Sequence, residues 1–133
     1  MRNEADDVAS GIIAKWSTRF TRLDADGLAS LYSRHAFFFG SNPTLYRGRE
    51  GVEAYFNGLP RWHAPTVQFA EVKTAMVGSD MINMAAIASF FLREGEPPLS
   101  VKISWVIIRE DDDWKIASHH VSSRTPLIDG SGR

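Results

Sequence analysis

The sequence predicts an α+β fold in which three helices precede a β-sheet. Three observations predict this class. Apolar residues recur with helical spacing in the first half of the chain. After Pro65 the apolar period changes to two, which is typical of strands. Short turn-like segments then join the strands in series, as in an antiparallel meander. No linker, repeat or low-complexity segment divides residues 1–133, so we expect a single domain.

The first helix is indicated by apolar side chains every four residues, which would form one face: Val8, Ile12, Trp16 and Phe20. The segment DADG at 24–27 interrupts this pattern, and it supplies Asp26 as a predicted N-cap for the next helix. The second helix is short and would carry three apolar residues on one side: Leu28, Leu31 and Tyr32.

The segment AFFFG at 36–40 predicts a short buried strand that ends at a turn. A third helix is predicted from Glu50 to about Leu59, because Gly58 and Pro60 stop it. Four strands then follow in antiparallel order, at 66–77, 80–93, 99–109 and 114–123.

The strands predicted at 80–93 and 99–109 are apolar on both faces, whereas a strand with one wet face should alternate between apolar and polar residues. Helices can cover only one face of the sheet. We therefore predict that a second copy of the chain covers the other face, in a homodimer.

Composition narrows the classes of function. A formal net charge of −1 and a pI near 6.4 give no electrostatic reason to expect nucleic acid or acidic lipid as a partner. The absence of cysteine excludes disulfides and thiol chemistry. The acidic N-terminus does not resemble a signal peptide, and the longest apolar run, at 84–92, is too short to span a bilayer. We expect a cytoplasmic protein.

Two adjacent histidines, His119 and His120, lie in the last predicted strand. Successive strand residues point to opposite faces, so they should not bind one ion together. Alternation groups His119 with Lys115, Ala117 and Val121, and it groups His120 with Trp114, Ile116, Ser118 and Ser122. The other histidines, His35 and His63, lie in unrelated segments, and no metal site is predicted.

Three stretches resemble the nuclear transport factor 2-like superfamily, and within it the SnoaL-like proteins and the association domain of calmodulin-dependent kinase. They are IIAKWSTRFTRLDADGLASLYSRHAFFFG, YRGREGVEAYF and WKIASHHVSS, and the resemblance covers about residues 8–125, which leaves 126–133 as a tail. It implies a cone: a strongly curved mixed or antiparallel sheet around the long first helix, a pocket at the wide end, and dimers through the convex face.

The resemblance also implies which histidine faces the pocket. In the kinase association domain the last strand looks inward at the position matching Val121, which places His119 in the cavity and His120 towards the dimer partner. That domain carries inward arginines where this sequence has Ala88, a residue near Trp105, and Val121. An anion-binding cavity is therefore not expected here.

We expect the pocket to be apolar and largely aromatic, which is the usual form of a small-molecule site. Its predicted lining comprises Trp16, Phe20, Tyr32, Tyr55, Phe90, Trp105 and Val121, with Trp62 and His63 at the edge. For each aromatic residue, plain core packing is the alternative. His119 could equally be a neutral core imidazole that a backbone carbonyl or hydroxyl satisfies.

Two hypotheses for function follow. The first is a protein that binds a small apolar molecule, and that could act as an acid–base isomerase or hydratase with His119 as catalytic base and Tyr32 assisting. His35 and Tyr55 are alternatives, while Glu71 and Asp26 are better explained as a surface charge and a cap. No cofactor motif occurs. The second hypothesis is a non-enzymatic association module with a vestigial cavity.

Overall fold

A computed structural model of the chain describes residues 3–128 and contains three helices and one six-stranded sheet within that range. The predicted tail, 126–133, lies outside the described residues from position 129 onward. The elements are α1 (Glu4–Thr21), α2 (Ala25–Ala29), β1 (Tyr32–Phe39), β2 (Leu45–Arg47), α3 (Gly48–Asn57), β3 (Thr66–Val77), β4 (Met81–Phe91), β5 (Leu99–Glu110) and β6 (Asp113–Ser123).

The sheet has the strand order β2-β1-β6-β5-β4-β3 and does not close. All neighbouring strands are antiparallel except β1 and β6, which are parallel. The predicted α+β class with a mixed sheet is therefore confirmed. The parallel pair brings the first strand in the sequence beside the last one, and this contact builds the site described below.

Helix α1 begins at an N-cap, Asn3, whose side chain accepts a hydrogen bond from the backbone N–H of Asp6. Acidic side chains occupy its first turn, where they complement the helix dipole. Three of the four predicted apolar residues, Ile12, Trp16 and Phe20, are buried, whereas Val8 is only partly buried. Truncating a buried Trp or Phe typically costs about 3–5 kcal/mol, so this face anchors the helix to the sheet.

Two local predictions were wrong. The N-cap of α2 is Asp24, not Asp26, because the Asp24 carboxylate accepts the backbone N–H of Gly27 at 2.9 Å. The helix is also shorter than predicted, so that Tyr32 begins β1 instead of ending α2.

Three further boundaries differ. Strand β1 starts before position 36 because its first residues pair with β6, and the irregular pairing between Tyr32 and Phe37 disrupts their alternation. The short strand β2 was not predicted, since three mostly exposed residues give no apolar signal. Helix α3 starts and ends two residues earlier than expected.

Strand β6 contains a bulge that corrects the predicted alternation around the two histidines. Pairing shifts between Ile116 and Ser118, so Ala117 is the extra residue. As a result Ile116 and His119 are both buried on the inner face, although strict alternation had placed Ile116 with His120. His120 is exposed on the outer face.

The outer face of the sheet has no covering element among residues 3–128. Several large apolar side chains remain exposed along it and at its edges: Phe37, Phe39, Leu45 and Phe91. In the same range, no helix is long and apolar enough to cross a membrane.

A buried carboxylate, Glu110, ties the end of β5 to β1 and α3. Its Oε2 accepts the Ser33 hydroxyl at 2.6 Å, and its Oε1 lies 3.1 Å from the guanidinium of Arg49. Burial raises the pKa of Glu110, but hydrogen bonds from Ser33 and Arg34 and the charges of Arg34 and Arg49 outweigh it, so the pKa lies below its ordinary value.

We expect Glu110→Gln to lower the free energy of unfolding at neutral pH by about 1–3 kcal/mol, because the donors around it lose a charged acceptor. A carboxylate whose pKa falls on folding stabilises the protein above its unfolded pKa, and this contribution is lost as the pH falls. The wild-type protein should therefore lose more stability than Glu110→Gln below about pH 4.5. Chemical denaturation across this pH range tests both effects. Glu94→Gln, in an exposed turn, should match the wild type.

Candidate functional site

A pocket of about 390 Å³ lies where the start of β5 and the end of β6 meet α1, α3 and the segment after α3. We call it the aromatic pocket. Its apolar lining comprises Trp16, Phe20, Phe38, Tyr55, Leu59, Trp62, Phe90, Leu92, Leu99, Val101 and Val121. The remaining lining residues are Gly40, Ser41, Ser100, His119, Ser122 and Ser123. The volume is in the range that holds a small organic molecule.

The one ionisable imidazole in this lining, His119, is 3% exposed. In the sheet it is paired with Trp105 of β5 on one side and with Phe38 of β1 on the other. The Phe38 ring stacks on the imidazole with 4.0 Å between ring centroids and 18° between planes. From α1, the Trp16 ring lies nearly parallel to the imidazole at 6.4 Å. Aromatic rings therefore hold the imidazole plane in place.

A hydrogen-bond network determines which nitrogen of the His119 ring carries the proton. The Nε1–H of Trp105 donates to Nδ1 at 3.0 Å, and the Tyr32 hydroxyl lies 2.9 Å from the same nitrogen. The Tyr32 hydroxyl in turn accepts the Nε1–H of Trp16 at 3.0 Å. Since an indole nitrogen can only donate, Nδ1 must be the unprotonated acceptor. The neutral ring therefore carries its proton on Nε2, and the lining of the aromatic pocket includes this side chain.

The electrostatics favour this neutral form. Burial lowers the pKa of His119 to about 3, and the neighbouring His120 contributes in the same direction. Burial raises the pKa of Tyr32 far above its ordinary value, so its hydroxyl keeps its proton. Neither group changes its charge near neutral pH.

A second polar corner of the pocket forms around the Tyr55 hydroxyl. It accepts the backbone N–H of Ser41 at 2.9 Å and lies 2.7 Å from the Ser41 hydroxyl. Gly40 permits this arrangement, because a Cβ at that position would lie 2.5 Å from the Tyr55 ring. The Tyr55 hydroxyl is thus fixed at the wall by the turn that follows β1.

The structure brings most of the predicted site residues together. Six line the aromatic pocket beside His119: Trp16, Phe20, Tyr55, Trp62, Phe90 and Val121. Tyr32 and Trp105 are instead buried behind the imidazole and contact its Nδ1. His63 is exposed and does not belong to the lining.

Sequence reasoning missed Phe38, Gly40 and Ser41. Alternation within the AFFFG segment could have singled out Phe38 as the inward residue. The roles of Gly40 and Ser41 depend on a contact with Tyr55 on another element, for which the sequence carries no signal.

The other candidate bases lie away from the aromatic pocket. His35, Asp26 and Glu71 are exposed, and Glu71 stands at a bulge in β3 with a positive φ of 54°. No carboxylate, lysine or arginine occurs among the described lining residues. Within residues 3–128, no group of three or more His, Asp or Glu side chains is placed to hold a metal ion.

Comparisons with solved structures show the same fold. A protein provisionally described as a calcium/calmodulin dependent protein kinase II association domain, from Xanthomonas campestris, superposes with a TM-score of 0.83 at 20% identity, over 95% of this chain and 91% of that one. A nuclear transport factor 2-like protein of unknown function from Pseudomonas putida gives a TM-score of 0.81 at 14% identity, over 100% and 94%.

A third structure, provisionally described as a scytalone dehydratase from Novosphingobium aromaticivorans, gives a TM-score of 0.76 at 12% identity, over 90% of this chain and 83% of that one. None of the curated proteins matches the sequence. The sequence profile of the SnoaL-like domain matches residues 10–126. The chain therefore belongs to the SnoaL-like domain family.

Proposed function

We propose that the protein binds a small apolar molecule whose carbonyl oxygen accepts a hydrogen bond from Nε2–H of His119. The observation that carries this proposal is the fixed donor in an apolar wall: Trp105 and Tyr32 occupy Nδ1, which leaves Nε2–H as the polar group that His119 can offer. The volume of about 390 Å³ admits a ring system. A cytoplasmic location, which suits a chain without cysteine, belongs to the same proposal.

The chemistry available to His119 differs from that of a general base. A base near neutral pH needs a pKa close to the working pH, and burial lowers this one to about 3. A neutral imidazole that donates through Nε2–H instead polarises a carbonyl and stabilises negative charge on its oxygen. Tyr32 acts behind the ring as a positioning residue, because its hydroxyl contacts Nδ1. Binding is therefore the function that the geometry supports best, and any catalysis would be electrophilic.

The second candidate is association of two copies through the outer face of the sheet. It is favoured by the exposed apolar side chains there, such as Phe37 at 50% and Phe39 at 38% exposure. Binding and association are compatible, because the aromatic pocket lies on the inner side of the sheet.

The ligand proposal is tested with a matched pair, para-diethylbenzene and para-ethylacetophenone, which differ by one CH₂-to-carbonyl change. We expect the ketone to bind the wild-type protein about threefold to tenfold more tightly, as one neutral hydrogen bond would give. His119→Asn should reduce this preference, since the Asn amide oxygen can still accept from Trp105 but no donor remains at the Nε2 position. Calorimetric titration measures both affinities.

Leu92→Ala is the matched control, because Leu92 lines the aromatic pocket without offering a donor. It should weaken both compounds to a similar extent and leave their ratio unchanged. Equal binding of the ketone and the hydrocarbon to the wild-type protein would refute the role of His119 as donor.

The protonation of His119 is a separate prediction. In ¹⁵N-detected NMR, Nδ1 should show the signal of an unprotonated nitrogen and Nε2 that of a protonated one, unchanged between about pH 8 and about pH 5. Because the pKa falls on folding, the neutral ring stabilises the fold above the unfolded pKa, and this contribution is lost as the pH falls towards about 3. A titration near pH 6.5, the ordinary value, would contradict the buried network.

Association is checked with Ile87→Lys, which places a charge on the outer face of β4. Ile87 is half-buried between the buried inner residues Ala86 and Ala88. We expect the wild-type protein to sediment as a dimer and the variant as a folded monomer, since an ammonium group opposes burial in an apolar interface. Sedimentation velocity and circular dichroism distinguish this from unfolding. A monomeric wild-type protein would eliminate this candidate.

A further inference from the structure

Among the side chains of residues 3–128, the indole N–H of Trp62 is buried without a hydrogen-bond partner. The other two indole donors near the site are satisfied: Trp16 donates to Tyr32, and Trp105 donates to His119. Buried N–H groups in folded proteins nearly always have an acceptor, because an unpaired one costs free energy. The exception at Trp62 therefore needs a physical explanation.

The position of Trp62 suggests one. It lies in the irregular segment between Asn57, the last residue of α3, and Thr66, the first of β3, and it belongs to the lining of the aromatic pocket. Its ring packs on Phe20, with 6.3 Å between centroids. Trp62 lies outside every helix and strand and is only partly buried, whereas Trp16 and Trp105 are fully buried.

We infer that Trp62 Nε1–H is a second ligand donor, and that the natural ligand is an apolar molecule with two acceptor oxygens at separate ends. This inference rests on the proposed function, since His119 would hold the first oxygen. Trp62 contacts Phe20 and is not among the rings packed on His119, so the two donors lie in different parts of the lining. An indole nitrogen donates only, so the second ligand group must be an acceptor.

Two such donors would make the pocket favour ligands according to the number of their acceptor oxygens. An apolar molecule with a single oxygen leaves one buried N–H unpaired, whereas a molecule with two oxygens satisfies both. The free energy lost by leaving Trp62 unpaired in the empty pocket is regained only with the second acceptor. The pocket should therefore favour dicarbonyl-type compounds over monoketones of the same shape.

A series of three isosteric compounds tests this inference: para-diethylbenzene, para-ethylacetophenone and para-diacetylbenzene carry zero, one and two carbonyls. In the wild-type protein we expect each carbonyl to strengthen binding by about threefold to tenfold. Trp62→Phe, which keeps an aromatic ring and removes the N–H, should reduce the gain from the second carbonyl to less than about twofold. His119→Asn in turn should reduce the gain in affinity from the carbonyl that His119 would bind.

The matched control is Trp114→Phe. Trp114 stacks under Arg109 and does not line the aromatic pocket, so this variant should keep both gains. If the first carbonyl strengthens binding and the second does not, or if the second gain persists in Trp62→Phe, the role of Trp62 is refuted while that of His119 stands. If neither carbonyl strengthens binding, the proposed function fails as well.

A measurement on the wild-type protein covers the case in which Trp62→Phe does not fold. The chain has four tryptophans, so ¹⁵N-tryptophan labelling gives four indole signals. The Trp62 N–H signal should move downfield, as a newly bonded donor does, with para-diacetylbenzene and much less with para-ethylacetophenone. Equal shifts with both compounds, or no shift with either, would overturn the inference.

Discussion

The site depends on one constraint: a buried imidazole nitrogen, Nδ1 of His119, that accepts an indole N–H from Trp105. An indole N–H can donate a hydrogen bond but cannot accept one, so this single contact fixes the tautomer of His119. The Tyr32 hydroxyl at 2.9 Å and the stacked ring of Phe38 then fix the orientation of the ring. The charge state, the direction of the remaining N–H and the polarity of the pocket wall all follow from this arrangement.

The fold supplies this arrangement through two irregular features. The bulge at Ala117 lets Ile116 pack in the core and still brings His119 to the inner face two residues before Val121. The parallel pairing of β1 with β6 then places Phe38 directly beside the imidazole. A purely antiparallel meander without a bulge would not bring Ile116 and His119 to the same face, and it would not place Phe38 beside the imidazole. These two departures from regular geometry therefore build the pocket wall.

The sequence predicts much of the fold because periodicity is a local property. The spacing of Ile12, Trp16 and Phe20 predicts α1, and alternation predicts the four long strands to within a few residues. What the sequence does not predict depends on distant partners. The bulge in β6 depends on its pairing with β5, and the position of the Tyr55 ring depends on the absence of a side chain at Gly40. The low pKa of His119 results from burial by elements that are far apart in the chain. Unperturbed pKa values therefore suggested a base, whereas the low pKa of His119 in the folded chain supports the donor role that we propose.

The balance of donors and acceptors around the aromatic pocket restricts its chemistry further than its shape does. The described lining contains no carboxylate to receive a cationic ligand and no lysine or arginine to receive an anion. The serine and tyrosine hydroxyls can play either role, but the Tyr55 hydroxyl is already engaged by Ser41. In the function that we propose, the groups that can only donate, the N–H of His119 and that of Trp62, therefore decide selectivity. A neutral ligand with acceptor oxygens satisfies such a wall, whereas an amine or a bare hydrocarbon leaves it unpaired.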